Sequence, residues 1–204
     1  MAYSDFNLGQ ALKAFDLRLE EGNDLFSGIP DIEISSYLRY TLDENVPLAL
    51  TITTEKARSE LIVMPILVEV RRMLGKRISL FSGIRFDVDE SEGLSGVCDF
   101  IMSRSPTQMV LEAPAVTIIE AKNDNIKLGL GQCVAAMVAA QRFNEREGNG
   151  RIPIYGAVTT GSLWRFMKLD EMIVYPDRNE LTLDHLGKIL AALIHSVGVN
   201  LVLA

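Results

Sequence analysis

Apolar residues fall into two rhythms along this chain, and the alternation between them predicts the fold. Thr54 is placed to cap, and Glu55 to open, a helix predicted to run to about Leu74, with Leu61, Met64, Leu67 and Val68 at helical spacing. Pro65 removes one hydrogen bond from that helix and should bend it. Strand-like segments follow at 78–88, 95–104 and 115–122, separated by the polar turns 89–93 and 103–107. An alanine-rich helix is predicted over 127–144, ended by glycine and asparagine at 148–150. A strand over 152–160 comes next, then a hairpin around 163–168 and 172–175. The last helix, over 183–197, carries Leu186, Ile189, Leu190, Leu193, Ile194 and Val197 on one face. Residues 1–50 read as short helices or helix plus strand, with turn signals at 21–24 and 27–30. Helix, three strands, helix, strand, helix is the order of an α/β sandwich with a mixed sheet.

Length and composition narrow this further. The 204 residues, 48% of them hydrophobic, suffice for one domain with a sizeable core, and no repeat or linker divides them. Residues 1–50 are read as an acidic N-terminal extension packed on that single domain. No apolar run approaches the roughly 18 residues that cross a bilayer. The start lacks the basic and apolar regions of a signal peptide, so a cytoplasmic protein with no membrane partner is expected. Cys98 and Cys133 lie inside apolar segments and read as buried thiols, and no zinc-type Cys/His spacing occurs. The net charge of −7 argues against a passive nucleic-acid binder. Its distribution weakens that objection: residues 1–50 hold nine acids and three bases, leaving the other 154 residues at −1.

The segment Val116–Lys122 carries the candidate chemistry. It is an apolar strand ending in Glu120-Ala121-Lys122, and period two points Glu120 and Lys122 to the same side. A charged pair closing such a strand faces a desolvation cost unless it is paired, metal-bound or at a sheet edge. Asp99 follows Gly96 in the preceding apolar segment and reaches the same point if the two strands pair. Gln132, early in the next helix, can point back at it, and Glu60 sits among apolar helix neighbours. Asp followed by Glu-x-Lys is a residue set suited to a metal-dependent phosphodiesterase.

Glu60, Asp99, Glu120-Ala-Lys122 and Gln132 together resemble the PD-(D/E)XK nuclease superfamily. The narrower likeness is to restriction-endonuclease-like proteins of the small cyanobacterial type, through Glu55-Lys-Ala-Arg-Ser-Glu60, Gly96-Val-Cys-Asp99-Phe, Ile119-Glu-Ala-Lys122-Asn and Gly131-Gln-Cys. It covers about residues 51–176. The resemblance implies a restriction-endonuclease-like sandwich with a central mixed sheet flanked by helices. It implies hydrolysis of DNA phosphodiester bonds with Mg²⁺, for which Mn²⁺ substitutes. Asp99 and Glu120 would ligate the metal with the carbonyl of Ala121, and Glu60 would contact metal water or a second metal. Lys122 would orient the attacking water, and Gln132 would steady the Lys or contact phosphate. Val97-Cys98 stands where the superfamily has Pro-Asp. A monomer with one such site cuts one strand per visit, so double-strand cleavage would call for a homodimer.

Two rivals stand beside this reading: the same fold as a weak or inactive binding or scaffold subunit, and a structural protein in which Glu120 and Lys122 form an ordinary ion pair. Other features read as structural. His185 and His195 belong to the last helix. Gly129-Leu-Gly131 lacks the third glycine of a dinucleotide fingerprint. Asp87, Asp89 and Glu90 fit a polar turn, and Trp164 fits a partly buried hairpin rather than a base-stacking platform. Arg71, Arg72, Lys76 and Arg77 suit either phosphate contacts or the helix dipole.

Overall fold

A computed structural model of the protein describes residues 1–201. A seven-stranded mixed sheet runs through the molecule, with helices on both faces. The strands are β1 (Arg18–Leu19), β2 (Ser79–Arg85), β3 (Val97–Ser103), β4 (Ala115–Ala121), β5 (Ile154–Thr159), β6 (Leu163–Asp170) and β7 (Ile173–Thr182). Their order across the sheet is β1-β7-β6-β5-β4-β3-β2. β4 and β5 run parallel, as do β1 and β7, and the remaining pairs are antiparallel. The helices are α1 (Leu8–Ala14), α2 (Ser36–Ile52), α3 (Glu55–Arg58), α4 (Met64–Met73), α5 (Ile126–Arg146) and α6 (Leu186–Val197). No described helix is long and apolar enough to cross a membrane.

Each face of the sheet has its own core. α2, α4 and α6 pack on one face through residues such as Leu38, Ile66, Leu67, Leu190 and Leu193 against Phe100, Ile119 and Phe166. α1 and α5 cover the other, with Val134, Met137 and Val138 against Ile101, Ile118 and Val158. α5 approaches the sheet closely at Gly156 of β5, where a Cβ would lie 2.4 Å from Met137 Sδ and 2.8 Å from Cys133 Sγ. Both cysteines are free and buried, and burial pushes their thiols up.

The helix predicted over 54–74 keeps its Thr54 cap, whose hydroxyl accepts from Ala57 N at 3.1 Å. Its middle differs from expectation. Residues Ser59–Val63 form a π turn between α3 and α4, immediately before Pro65. Proline supplies no N–H, which frees the Leu61 carbonyl four residues earlier. Asn45 of α2 takes that carbonyl with its Nδ2 at 3.0 Å, so the bend is stitched to the neighbouring helix.

Three further departures have local causes. β7 continues past the expected end at 175 to Thr182, because Pro176 falls where the β6–β7 register shifts and a ladder donor is not needed. β1 is only two residues long, below what an alternation pattern can reveal, and forms by parallel pairing with β7. Trp164 is fully buried, not partly so, and its indole N–H donates to Gly161 O at 3.1 Å, which removes it as a base-stacking platform.

Candidate functional site

The site forms where β4 ends. All seven residues of β4 are buried, including Glu120, which has no solvent exposure. β3 pairs antiparallel with β4 through Phe100↔Ile119, so the next step of the register sets Asp99 beside Glu120. One Asp99 oxygen accepts from Ala121 N at 2.8 Å, tying the last residue of β4 to the neighbouring strand by a side chain. Sequence reasoning anticipated this juxtaposition from pairing alone.

Glu120 is held from the α5 side. Gln132 Nε2 donates to Glu120 Oε2 at 2.7 Å, and Lys122 Nζ lies 4.0 Å from the same oxygen. The other oxygen, Oε1, is buried with no partner. Burial pushes the Glu120 carboxyl well above the usual range, and the Asp99 charge adds to that. Lys122 opposes the rise, while the charge of Glu55 adds a little to it. Without a cation, burial therefore favours the protonated form of the Glu120 carboxyl.

Lys122 reaches this position because α5 leaves room for it. A Cβ at Gly129 would lie 3.1 Å from both Cγ and Cε of Lys122 and 2.6 Å from Val158 Cγ1. The glycine is thus part of the site's construction, a role hidden in the Gly129-Leu-Gly131 stretch. Gly131 has a different function: its missing side chain lets the backbone of Phe6 and Asn7 lie directly on α5.

A cleft of about 240 Å³ opens beside Asp99 and Ala121; Glu120, Lys122 and Gln132 are not among the residues that line it. Asp99 and Ala121 form its floor, and Ser82 and Gly83 of β2 form one wall. Gly83 interrupts the pairing opposite Asp99 with a φ of 62°, and open space lies where its side chain would be, so nothing from β2 covers the carboxylate. The opposite wall is the first turn of α3 and the π turn, presenting Glu55, Lys56, Ser59 and Glu60. Glu60 is exposed and paired with Lys56 at 2.7 Å. Glu55 is exposed too and lines the same wall, and its charge adds a minor contribution to the rise at Glu120. Sequence reading singled out Glu60 and gave Glu55 only a place in the first turn; the five-residue spacing of two acids around a π turn holds no simple periodic signal.

The surroundings are polar and incompletely satisfied. Arg58 donates from Nη1 to Thr160 O at 3.0 Å, while its Nε is buried without a partner. Asn123 Oδ1 and Ser162 Oγ, just beyond the ends of β4 and β5, are likewise unpartnered. With Glu120 Oε1 they make four of the six such atoms among the described residues, at the carboxyl ends of the two parallel strands. That is where open α/β sheets place ligands.

Among the described residues no three His, Cys, Asp or Glu side chains converge as a ready-made metal cage. The donor set is two adjacent carboxylates, one with an unpartnered buried oxygen, beside the backbone of Ala121. Hard oxygen donors in that number fit a cation that keeps much of its water, as Mg²⁺ does. A thiolate or imidazole metal has no partner here.

The remaining candidates are used elsewhere. Asp87 accepts from Gly96 N, and Asp89 accepts from Ser91 and pairs with Arg142 and Arg146, as a polar turn requires. Arg72 binds Glu69 through two hydrogen bonds, and Arg71 and Arg77 donate to the Ile78 and Leu74 carbonyls. This cluster sits about 24 Å along the helix from Glu55, at 1.5 Å per residue, and does not line the cleft. His195 packs edge-on against Phe26 and Tyr155, and His185 lies near the Thr182 hydroxyl. No protein-family model matches the chain, and no curated protein matches it.

Proposed function

We propose that the protein is a Mg²⁺-dependent nuclease of the PD-(D/E)XK type, built on a restriction-endonuclease-like sandwich and hydrolysing DNA phosphodiester bonds. The observation that carries this reading is Glu120: a fully buried carboxylate with an unpartnered oxygen, set against Asp99 and 4.0 Å from Lys122. A purely structural ion pair leaves both the orphan oxygen and the second acid unexplained, because an unsatisfied buried charge is costly.

Asp99, Glu120 and the Ala121 carbonyl would hold the metal. When bound, Mg²⁺ lowers the pKa of a coordinated water and offsets charge on the phosphate. Gln132 fixes the Glu120 carboxylate through its Oε2, leaving Oε1 without a protein partner. Lys122, stiffened by its packing on Gly129, orients the attacking water and opposes charge on the phosphoryl oxygens. The water oxygen bonds to phosphorus, the P–O ester bond breaks, and the water's proton ends on the departing alkoxide. Glu55 and Glu60 both line the cleft on the helix side, with Glu60 paired to Lys56 and Glu55 left to act on this water.

A second reading, the same fold serving as a weakly active or inactive scaffold, draws support from the lack, among the described residues, of a third converging acid and from the pairing of Glu60 with Lys56. Two measurements separate the readings. Titration with Mn²⁺ should show a site lost in Asp99→Ala. Plasmid and branched DNA should be cut with Mg²⁺ by wild type and at least about a hundredfold more slowly by Lys122→Ala, a loss of about 2.7 kcal/mol of transition-state stabilisation. Metal binding with equal inactivity of both proteins would leave the scaffold; no metal binding would remove the nuclease reading altogether.

A further inference from the structure

α2 is buried along one side by Leu38, Leu42 and Ala49, yet its outer side carries large apolar groups in water. Tyr37 is 70% exposed and Tyr40 69%, and Leu48 is exposed as well. At 100° per residue, Tyr40 and Pro47 lie at the centre of this outer face. Arg39 and Asp43 form one flank, and Tyr37, Glu44 and Leu48 the other. Arg39, Asp43 and Glu44 are exposed, and among the described residues none takes part in an ion pair. A groove of about 490 Å³, lined by Leu42, Val46, Pro47 and Leu186, runs beside the Arg39–Asp43 flank.

We propose that this face joins two copies of the chain, with the α2 helices antiparallel about a two-fold axis level with Thr41. A two-fold of this kind keeps each flank against the same flank of the second copy. Tyr40 then meets its own twin at the axis. Arg39 meets Asp43 of the second copy, twice by symmetry, beside the groove. Tyr37 meets Glu44 and Leu48 of the second copy, where its hydroxyl has a carboxylate to donate to. The face therefore contains its own complement in shape and charge. One Arg against Asp43 and Glu44 leaves it net negative, which disfavours nucleic acid or an anionic membrane as the occupant. The inference stands whether or not the cleft is catalytic.

A 17-residue helix is about 25 Å long, and one helix with its groove covers less than the roughly 800 Å² per partner of a permanent interface. The pairing is accordingly reversible, in the micromolar range. Sedimentation of the full chain from about 1 to 200 μM should show the mass rising from 22.6 kDa towards twice that value. Tyr40→Glu should hold it at the monomer, and Arg39→Asp should weaken association at least about tenfold. Arg39→Asp combined with Asp43→Arg should restore it, and Val68→Glu, on exposed α4 surface, should leave it unchanged. Tyr40→Cys should form a covalent dimer on oxidation, with the buried Cys98 and Cys133 silent. Circular dichroism checks that each variant is folded. A wild type monomeric throughout, association indifferent to Tyr40→Glu, or a charge reversal that restores nothing would each overturn the interface.

Discussion

Replacing Glu120 by Gln should stabilise the metal-free protein even though it destroys the proposed metal site. The carboxyl is fully buried and its pKa is held well above the ordinary range, first by burial and then by the charge of Asp99. An acid whose folded pKa is raised contributes stability that is complete below its unfolded pKa of about 4.3 and is lost as pH rises towards the folded value. Across that window each pH unit removes up to about 1.4 kcal/mol. In EDTA, wild type should thus lose stability from this group as pH rises above its unfolded pKa, and the Gln variant should not. Glutamine is nearly isosteric, keeps an acceptor for Gln132 Nε2, offers an N–H to Asp99 and does not titrate. Urea unfolding at pH 5.5, 6.5 and 7.5 measures the difference, and every other titrating group common to both proteins cancels from it. Adding Mg²⁺ at tenfold over its Kd should return about 1.4 kcal/mol to wild type and nothing to the variant. Parallel pH profiles for the two proteins, or a Gln variant less stable than wild type at pH 7.5 in EDTA, would refute the assignment of a buried Glu120 carboxyl that burial drives towards its protonated form.

Three other outcomes follow from the geometry. Glu55→Gln should weaken Mn²⁺ binding several-fold by calorimetry while Glu60→Gln leaves it unchanged; the reverse result would return the helical role to Glu60. Gly131→Ala should cost about 2 kcal/mol or more, because its Cβ would lie 2.2 Å from the Asn7 carbonyl carbon, and limited proteolysis should then cut within residues 1–20 far faster than in wild type. Asn45→Ala should cost about 1 kcal/mol in thermal or urea unfolding, since the Leu61 carbonyl freed by Pro65 loses its donor.

What the sequence disclosed, and what it withheld, follows from the range of the interactions. Glu120 and Lys122 were legible because period two is a local property of a strand, and Asp99 because consecutive strands usually pair. Gln132 was legible because a helix that follows a strand folds back along it. Glu55, Gly83 and Gly129 were not. Each matters through what faces it in space: Glu55 across a π turn, Gly83 opposite Asp99, and Gly129 beneath the Lys122 stem. The α/β class and the mixed sheet were readable from the order of elements. β1 was not, because two residues show no alternation and form a strand only when β7 is already there.

That pairing carries a consequence for how the molecule is made. Tyr3 bonds to Ser95 and Phe86, Phe6 and Asn7 lie on α5, and Arg18 bonds to Met172. One short stretch thereby crosses a whole face of the sheet, from beside β3 to the opposite edge. During synthesis residues 3–19 leave the ribosome long before any of these partners exist, and the last of them lies more than 150 residues later. Residues 3–7 find their partners first, and residues 18–19 settle last, once β7 exists. The stretch closes over the sheet as a strap fastened from one end, and chains released before residue 172 would leave its 18–19 end loose.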